Sequence, residues 1–182
     1  MTPIAATNAT VATAEFADAM STHTSGVVLV TCRLADRPWG MTVTAFASVS
    51  AYPPTVLVSL GSGTSSARTI AATDAFGVSI LSRDQVEVAE YGAAPGASKF
   101  LDSLVAQGDR ESESPAIARA LAHLDCAVVA AVEAADHTVF FAHVHTVRRL
   151  RGGEPLLYQG RGYRSFSGPE LTNGGNLRCV SS

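Results

Sequence analysis

The sequence predicts a mainly β fold of barrel type. Two observations carry this. Six or seven short stretches alternate or run apolar with β-branched residues, and Gly- and Pro-rich turns separate them. Helical spacing holds over only a few short segments, which favours a barrel over a doubly wound sheet. With 182 residues, 47% of them hydrophobic and 16% charged, the chain has the size and composition of one globular domain with a sizeable core.

The elements follow in order. Residues 1–12 are expected to form a flexible arm, and residues 13–167 the folded domain. Thr13 is placed to cap a short helix over residues 14–21, with Phe16 and Met20 four apart on one face. Residues 27–32 are continuously apolar and read as a buried strand. Residues 35–38, Ala-Asp-Arg-Pro, are turn chemistry. Residues 65–73 and 84–91 have helical spacing, and residues 76–81 alternate as a strand. Lys99, Phe100 and Leu101 form a short anchor before a polar, exposed loop over residues 106–114. Residues 115–121 form a brief element of open type. Residues 124–133 and 138–150 are strands joined by a turn at residues 134–137, and residues 155–158 are a short strand. Gly160, Arg161 and Gly162 turn the chain into Tyr163 and Arg164. Residues 168–182 read as a flexible tail.

Residues 39–66 are the most informative stretch. Between residues 40 and 50, Thr42, Thr44, Phe46, Ser48 and Ser50 share one parity, and Met41, Val43, Ala45, Ala47 and Val49 the other. As a strand, this gives one apolar, buried face and one face lined by hydroxyls around a single aromatic ring. Pro53 and Pro54 break the ladder, and a second strand over residues 55–60 ends in Gly61-Ser62-Gly63-Thr64-Ser65-Ser66. That loop is dense in small donors and suits an anionic or polar ligand, or it is simply a Gly/Ser connection.

Several classes lose support. A net charge of −3 gives no general reason to expect nucleic acid or an anionic membrane as partner. No apolar run approaches bilayer length, and residues 1–13 lack the plan of a signal peptide. Cys32, Cys126 and Cys179 are odd in number and widely spaced, and read as reduced thiols of a cytoplasmic protein. There is no G-x-S-x-G, no P-loop lysine and no Rossmann fingerprint. His143 and His145 form an H-x-H pair without a motif supplying a third ligand, so no metal site is expected. Asp136-His137 sits at a hairpin apex, either as turn chemistry or as a histidine presented at a barrel mouth.

Residues 37–46 (RPWGMTVTAF), with Ser48-Val49-Ser50 and Pro53-Pro54, resemble the flavin reductase-like family. Lys99-Phe100 after Pro95-Gly96, Asp136-His137, and Pro155 to Tyr158 followed by Tyr163-Arg164 extend the resemblance over residues 16–166. The chain departs from the family pattern at Ala135, where a glycine often stands, and at Ser98, where an acid usually stands.

The resemblance implies an FMN-binding, six-stranded split barrel with short flanking helices, usually present as a homodimer. It implies hydride transfer from NADH or NADPH to FMN, or FAD, with diffusible reduced flavin passed to a partner monooxygenase. Carried over by position, the isoalloxazine lies against Gly40, Met41, Thr42, Val43, Ala45 and Phe46, with the Thr42 hydroxyl on its polar edge. The phosphate end lies by Leu60, Gly61, Ser62, Ser65, Ser66 and Ala67, with Arg68 as a candidate counter-charge. Tyr91 and Gly92 touch the far end of the flavin. The nicotinamide lies near His137, Tyr158, Tyr163 and Arg164, with His137 as the residue for positioning and charge stabilisation. The cofactors carry this reaction, so no essential base is implied. Two alternatives stay open: a split-barrel oxidoreductase with tightly bound FMN and its own substrate, and a non-catalytic flavin or haem binder with His143 or His145 as haem ligand.

Overall fold

The computed structural model describes residues 11–109 and 111–166. These form helices α1 (Thr13–Ser21), α2 (Ser65–Thr73) and α3 (Val86–Ala93) and ten strands. The strands are β1 (Ser25–Gly26), β2 (Val28–Leu34), β3 (Arg37–Val43), β4 (Phe46–Ala51), β5 (Pro54–Gly61), β6 (Ala75–Ile80), β7 (Ala122–Ala134), β8 (His137–Arg149), β9 (Leu157–Gln159) and β10 (Gly162–Arg164). The expected tail lies outside the described residues, as does the expected arm except for Val11 and Ala12.

Seven strands pair antiparallel in the order β3-β2-β6-β7-β8-β5-β4, and β1, β9 and β10 form a small second sheet. Consecutive strands β3 and β4 occupy opposite edges of the large sheet, yet only Thr44 and Ala45 separate them. Two residues reach about 7 Å. The edges of a flat seven-stranded sheet lie several strand spacings apart, each about 4.8 Å. The sheet must therefore curl until its edges meet. The Ser59 N–H donates to the Ala45 carbonyl at 3.0 Å and holds the link against β5. No ladder joins β3 to β4 among the described residues, so the barrel is split along this seam.

The break at Thr44–Ala45 corrects the reading of residues 40–50 as one strand and raises the main sheet from six strands to seven. β4 is a largely exposed edge, and Val49 is 48% exposed rather than buried. Arg37 and Pro38 belong to β3, leaving Ala35 and Asp36 as the turn, both at positive φ. Thr13 is the first helical residue, not the cap. Phe16 and Met20 are exposed at 61% and 47%. The expected exposed loop over residues 106–114 is anchored, because Asp109 pairs with Arg148 at 2.9 Å and Ser114 is buried. Residues 115–121 make no regular element, but Ala116, Ile117 and Ala120 are fully buried.

The core has two layers. Inside the barrel, Val28, Val30 and Cys32 of β2 pack with Val43, Val56, Val58, Leu60, Phe76, Val78, Phe140 and Ala142, and α2 closes this layer with Ala67 and Ile70. Outside it, Val27, Leu29, Leu81, Ala89 of α3, Leu101, Ile117 and Leu156 form a second cluster. Both faces of β3 are therefore covered. Each large apolar side chain buried this way contributes about 1.5–3 kcal/mol.

One buried polar group is fully connected. His123 on β7 has no exposure. Its Nε2 faces the Ser114 carbonyl at 2.9 Å and Asp125 Oδ1 at 3.2 Å, both acceptors, so Nε2 carries the proton. Nδ1 then accepts from the Ser79 hydroxyl at 2.8 Å, whose oxygen accepts the Ile117 N–H at 3.0 Å. Asp125 also accepts from Ser114 and Thr146 and lies 4.0 Å from Arg148, which pairs with Asp109. Burial, reinforced by the Arg148 charge, holds His123 below the ordinary histidine value against the opposing pull of Asp125. On unfolding this imidazole takes up a proton, so its contribution is full above the unfolded value of about 6.5 and is lost as pH falls from there toward the lowered folded value. Asp125 and Asp109 are lowered overall despite burial, and their contribution is lost only below the ordinary carboxylate range. The urea midpoint of the wild type is expected to fall between pH 7.5 and 5.5, and His123→Gln is expected to flatten that slope. An equal slope in both proteins would exclude His123 as its source.

Candidate functional site

α2 begins where β5 ends. Thr64 caps it, its hydroxyl accepting the Ala67 N–H at 3.1 Å, and Ser65 and Ser66 form the first turn. On the other side, residues 99–101 run along the free edge of β3. The Gly40 N–H donates to the Lys99 carbonyl at 3.2 Å, and the Leu101 N–H donates to the Pro38 carbonyl at 2.9 Å. Between these two segments opens a cleft of about 460 Å³, lined by Trp39, Met41 and residues 63–66 and 96–99.

Among the described residues, Lys99 carries the only charge in this lining. It has no ion-pair partner among the described residues, and burial lowers its pKa. A half-buried ammonium without a counter-ion, beside a rim of hydroxyls, is a site for an anion. The Trp39 indole N–H donates to Ser66 Oγ at 3.2 Å. Phe100 packs on Trp39 in a T-shaped contact at 5.0 Å, and the Arg37 guanidinium caps Phe100 at 3.9 Å while pairing with Asp102 at 2.7 Å. Phe100 thus braces Trp39, while Leu101 is the residue that anchors the segment in the core.

Of the residues singled out from the sequence, Met41, Ser65 and Ser66 line this cleft. Gly61 pairs with His137 across β5 and β8, and the Ser62 N–H donates to the Asp136 carbonyl at 2.9 Å. The loop of residues 61–66 therefore runs from the hairpin apex to the cleft. His137 is half-exposed, and its Nδ1 lies 2.7 Å from Asp136 Oδ1, which fixes the ring and leaves Nε2 free. The His137 hydrogen bond lowers the Asp136 carboxyl below its ordinary value. Ala135 sits at φ +54°, the left-handed region that glycine adopts without strain and alanine only at a cost.

Other residues lie elsewhere. Gly40, Leu60, Ala67 and Gly92 are buried. The Thr42 hydroxyl faces α3 and donates to the Ala89 carbonyl at 2.7 Å, so the hydroxyl face of β3 receives a helix. A Cβ on Gly92 would lie 2.4 Å from Thr42 Oγ1, which makes Gly92 a packing glycine. Val43 is interior to the barrel. Tyr91 donates to the Phe100 carbonyl at 2.8 Å. Ala45 and Phe46 line a second cleft, of about 370 Å³, with residues 23–26. Arg68 turns back to the Gly63 carbonyl at 2.6 Å and lines a neighbouring cleft with Arg33. Tyr158 and Tyr163 form a T-shaped pair at 5.5 Å against the outer core cluster, and Arg164 lies with Tyr163 on a further cleft. The structure gives no contact between this hairpin and His137. Gly63 and Thr64 of the loop expected to suit a polar ligand also line the cleft, and so do Trp39 and Lys99, which stand in the quoted motifs but were not assigned to the ligand.

Residues 20–167 match the family model described as the flavin reductase like domain. The chain belongs to the flavin reductase-like family. It is 36% identical over 154 residues to the NADH-dependent FAD reductase of Streptomyces globisporus, covering 82% of this chain and 83% of the relative. It is 35% identical over 148 residues to the reductase component of 4-nitrophenol 4-monooxygenase/4-nitrocatechol 2-monooxygenase of Rhodococcus opacus, covering 81% and 78%. Among solved structures, the NADH:FAD oxidoreductase of Streptomyces globisporus C-1027 in complex with NAD and FAD fragments superposes with a TM-score of 0.78 at 33% identity, covering 87% of this chain and 94% of that one. The likeness places the split barrel of this flavin reductase-like chain among enzymes of known activity.

Proposed function

We propose that the chain is an NADH-dependent flavin reductase that supplies diffusible reduced flavin to a separate monooxygenase. The observation that carries this is the family match over residues 20–167, joined to relatives named for that activity. NADH is favoured over NADPH because relatives from Streptomyces globisporus and a Rhodococcus species are named NADH-dependent.

The residues present fit a flavin. The cleft offers Lys99 as counter-charge and the Ser65 and Ser66 hydroxyls as donors for its phosphate end. Loop 61–66 leads from there to His137, which supports a redox end lying near the hairpin apex. Flavin supplies the hydride acceptor and reduced nicotinamide the hydride. The chain's own work is positional. Ser66 is held by Trp39, and the ring of His137 is held by Asp136 with Nε2 free to hydrogen-bond. His137→Ala is expected to lower kcat about tenfold, the effect of one lost charge-assisted hydrogen bond, with flavin Kd little changed. Equal turnover in mutant and wild type would remove His137 from the reaction.

The outer face of the large sheet supports a homodimer. Ala47, Leu57, Phe141 and Ala130 are cross-strand neighbours over four strands, flanked by the pair Val139 and Val132, and all six are partly or fully exposed in the single chain. Such a continuous apolar face calls for a partner, and sedimentation should return twice the chain mass. No helix among the described residues is long and apolar enough to cross a membrane. Cys32 and Cys126 are buried free thiols, each pushed up to about 12 by burial, which is compatible with the reducing cytoplasm where NADH is available.

The test is NADH oxidation by the purified protein with and without added flavin. Oxidation only with added flavin supports the diffusible reductase. Oxidation by protein that retains flavin through gel filtration, independent of added flavin, would favour a tightly bound cofactor instead. No oxidation under either condition would overturn the proposal.

A further inference from the structure

The cleft beside α2 is larger than a phosphate group requires. A phosphate displaces only a few waters, each with a liquid volume of about 30 Å³, and the cleft holds about 460 Å³. Three features say what fills the rest. First, its aromatic lining is Trp39, immobilised by the Ser66 hydrogen bond on one atom and by the T-shaped contact of Phe100 on the ring. A fixed indole is a surface for stacking a planar heterocycle, and it loses little entropy in doing so. Second, the lining around residues 96–98 is Gly96, Ala97 and Ser98, with no bulky side chain to fill the space. Third, among the described residues no carboxylate lines the cleft, and Lys99 within it has no ion-pair partner.

We propose that this cleft takes the adenylate half of FAD, with the purine stacked on Trp39 and Lys99 facing the diphosphate, so that the chain prefers FAD to FMN. The assignment rests on the flavin reductase reading, which brings the flavin phosphate to Ser65, Ser66 and Lys99. Trp39 is a specificity-determining residue: it recognises the part of FAD that FMN lacks.

Trp39 is the only tryptophan of the chain, so its emission reports on the cleft without turnover. Titration with AMP is expected to quench that emission saturably, and AMP is expected to compete with FAD. Trp39→Leu is expected to raise the ratio of the FAD KM to the FMN KM about tenfold, the effect of one lost base–aromatic stack. Trp39→Phe loses the Ser66 hydrogen bond but keeps a stacking ring. It is expected to hold the ratio within about threefold of wild type, which separates stacking from the support of Ser66. An unchanged ratio in Trp39→Leu, or quenching by FMN with none by AMP, would overturn the proposal. Protein that binds AMP but reduces neither flavin would sink the reductase reading and leave the adenylate cleft standing. Active protein blind to AMP would do the reverse.

Discussion

Replacing Lys99 by alanine is expected to raise the flavin KM about ten- to hundredfold, with kcat within about threefold of wild type. Hydrogen bonds to charged groups contribute about 1.5–3 kcal/mol, which sets that range. The direction follows from the state of the free protein. Lys99 is partly desolvated and has no carboxylate partner among the described residues, so a bound phosphate relieves an existing penalty. Its effect on kcat is small because the ammonium sits at the phosphate end, separated from His137 by loop 61–66. Lys99→Gln should resemble Lys99→Ala, and Lys99→Arg should recover part of the loss. Steady-state kinetics at several salt concentrations check this, since the wild-type advantage should shrink as salt screens the charge. A flavin KM unchanged in Lys99→Ala would remove Lys99 from the site.

Gly40→Ala is the second large effect, on stability. An added Cβ would lie 2.6 Å from the Val30 carbonyl oxygen and 2.8 Å from Leu101 Cδ1. The first neighbour is backbone in the paired strand β2 and cannot rotate away. Overpacking of this kind costs about 2–3 kcal/mol, which lowers Tm by about 5–10 °C in a chain of this size. Gly152→Ala, with nothing within 4 Å of its added Cβ, is the matched control and should lie within about 0.5 kcal/mol of wild type. Thermal unfolding of the three proteins decides it. Equal melting of Gly40→Ala and wild type would show that β3 gives way, contrary to its packing between two clusters.

The same glycine shows where the sequence was legible. Residues 65–73 were read as a helix on spacing alone, and that helix is α2 to the residue. Period-2 alternation is also seen in residues 40–43, with Val43 inside the barrel and Thr42 on the opposite face. The resemblance implies that the Thr42 hydroxyl of this strand lies on the polar edge of a flavin. β3 instead packs its apolar side inward and receives α3 on the other, so Thr42 bonds a helix carbonyl. Only the long-range docking of α3 and residues 99–105 decides that, and no local pattern records it. The break at Thr44–Ala45 was equally silent, because neither Gly nor Pro marks it. Lys99 read as part of a loop anchor because its meaning depends on Trp39 and Ser66, which are distant in sequence. The motif order carried the family reading; the spatial grouping of side chains had to come from the structure.

The two-residue link between β3 and β4 also bears on how the chain comes off the ribosome. Hairpins β2–β3 and β4–β5 are local and can form early, but their other neighbours are β6 and β8. Residues 75–80 must be synthesised before the first hairpin finds its other neighbour, and residues 137–149 before the second does, even though the seam itself lies at residues 44 and 45. Vectorial synthesis therefore leaves the amino-terminal third of the barrel waiting, with the edge of β5 open, for nearly 80 residues to emerge. Closure is a late, non-local event, which places refolding in the slow, millisecond-to-second regime of high contact order and makes a nascent chain stalled before β8 the form most exposed to strand-edge aggregation.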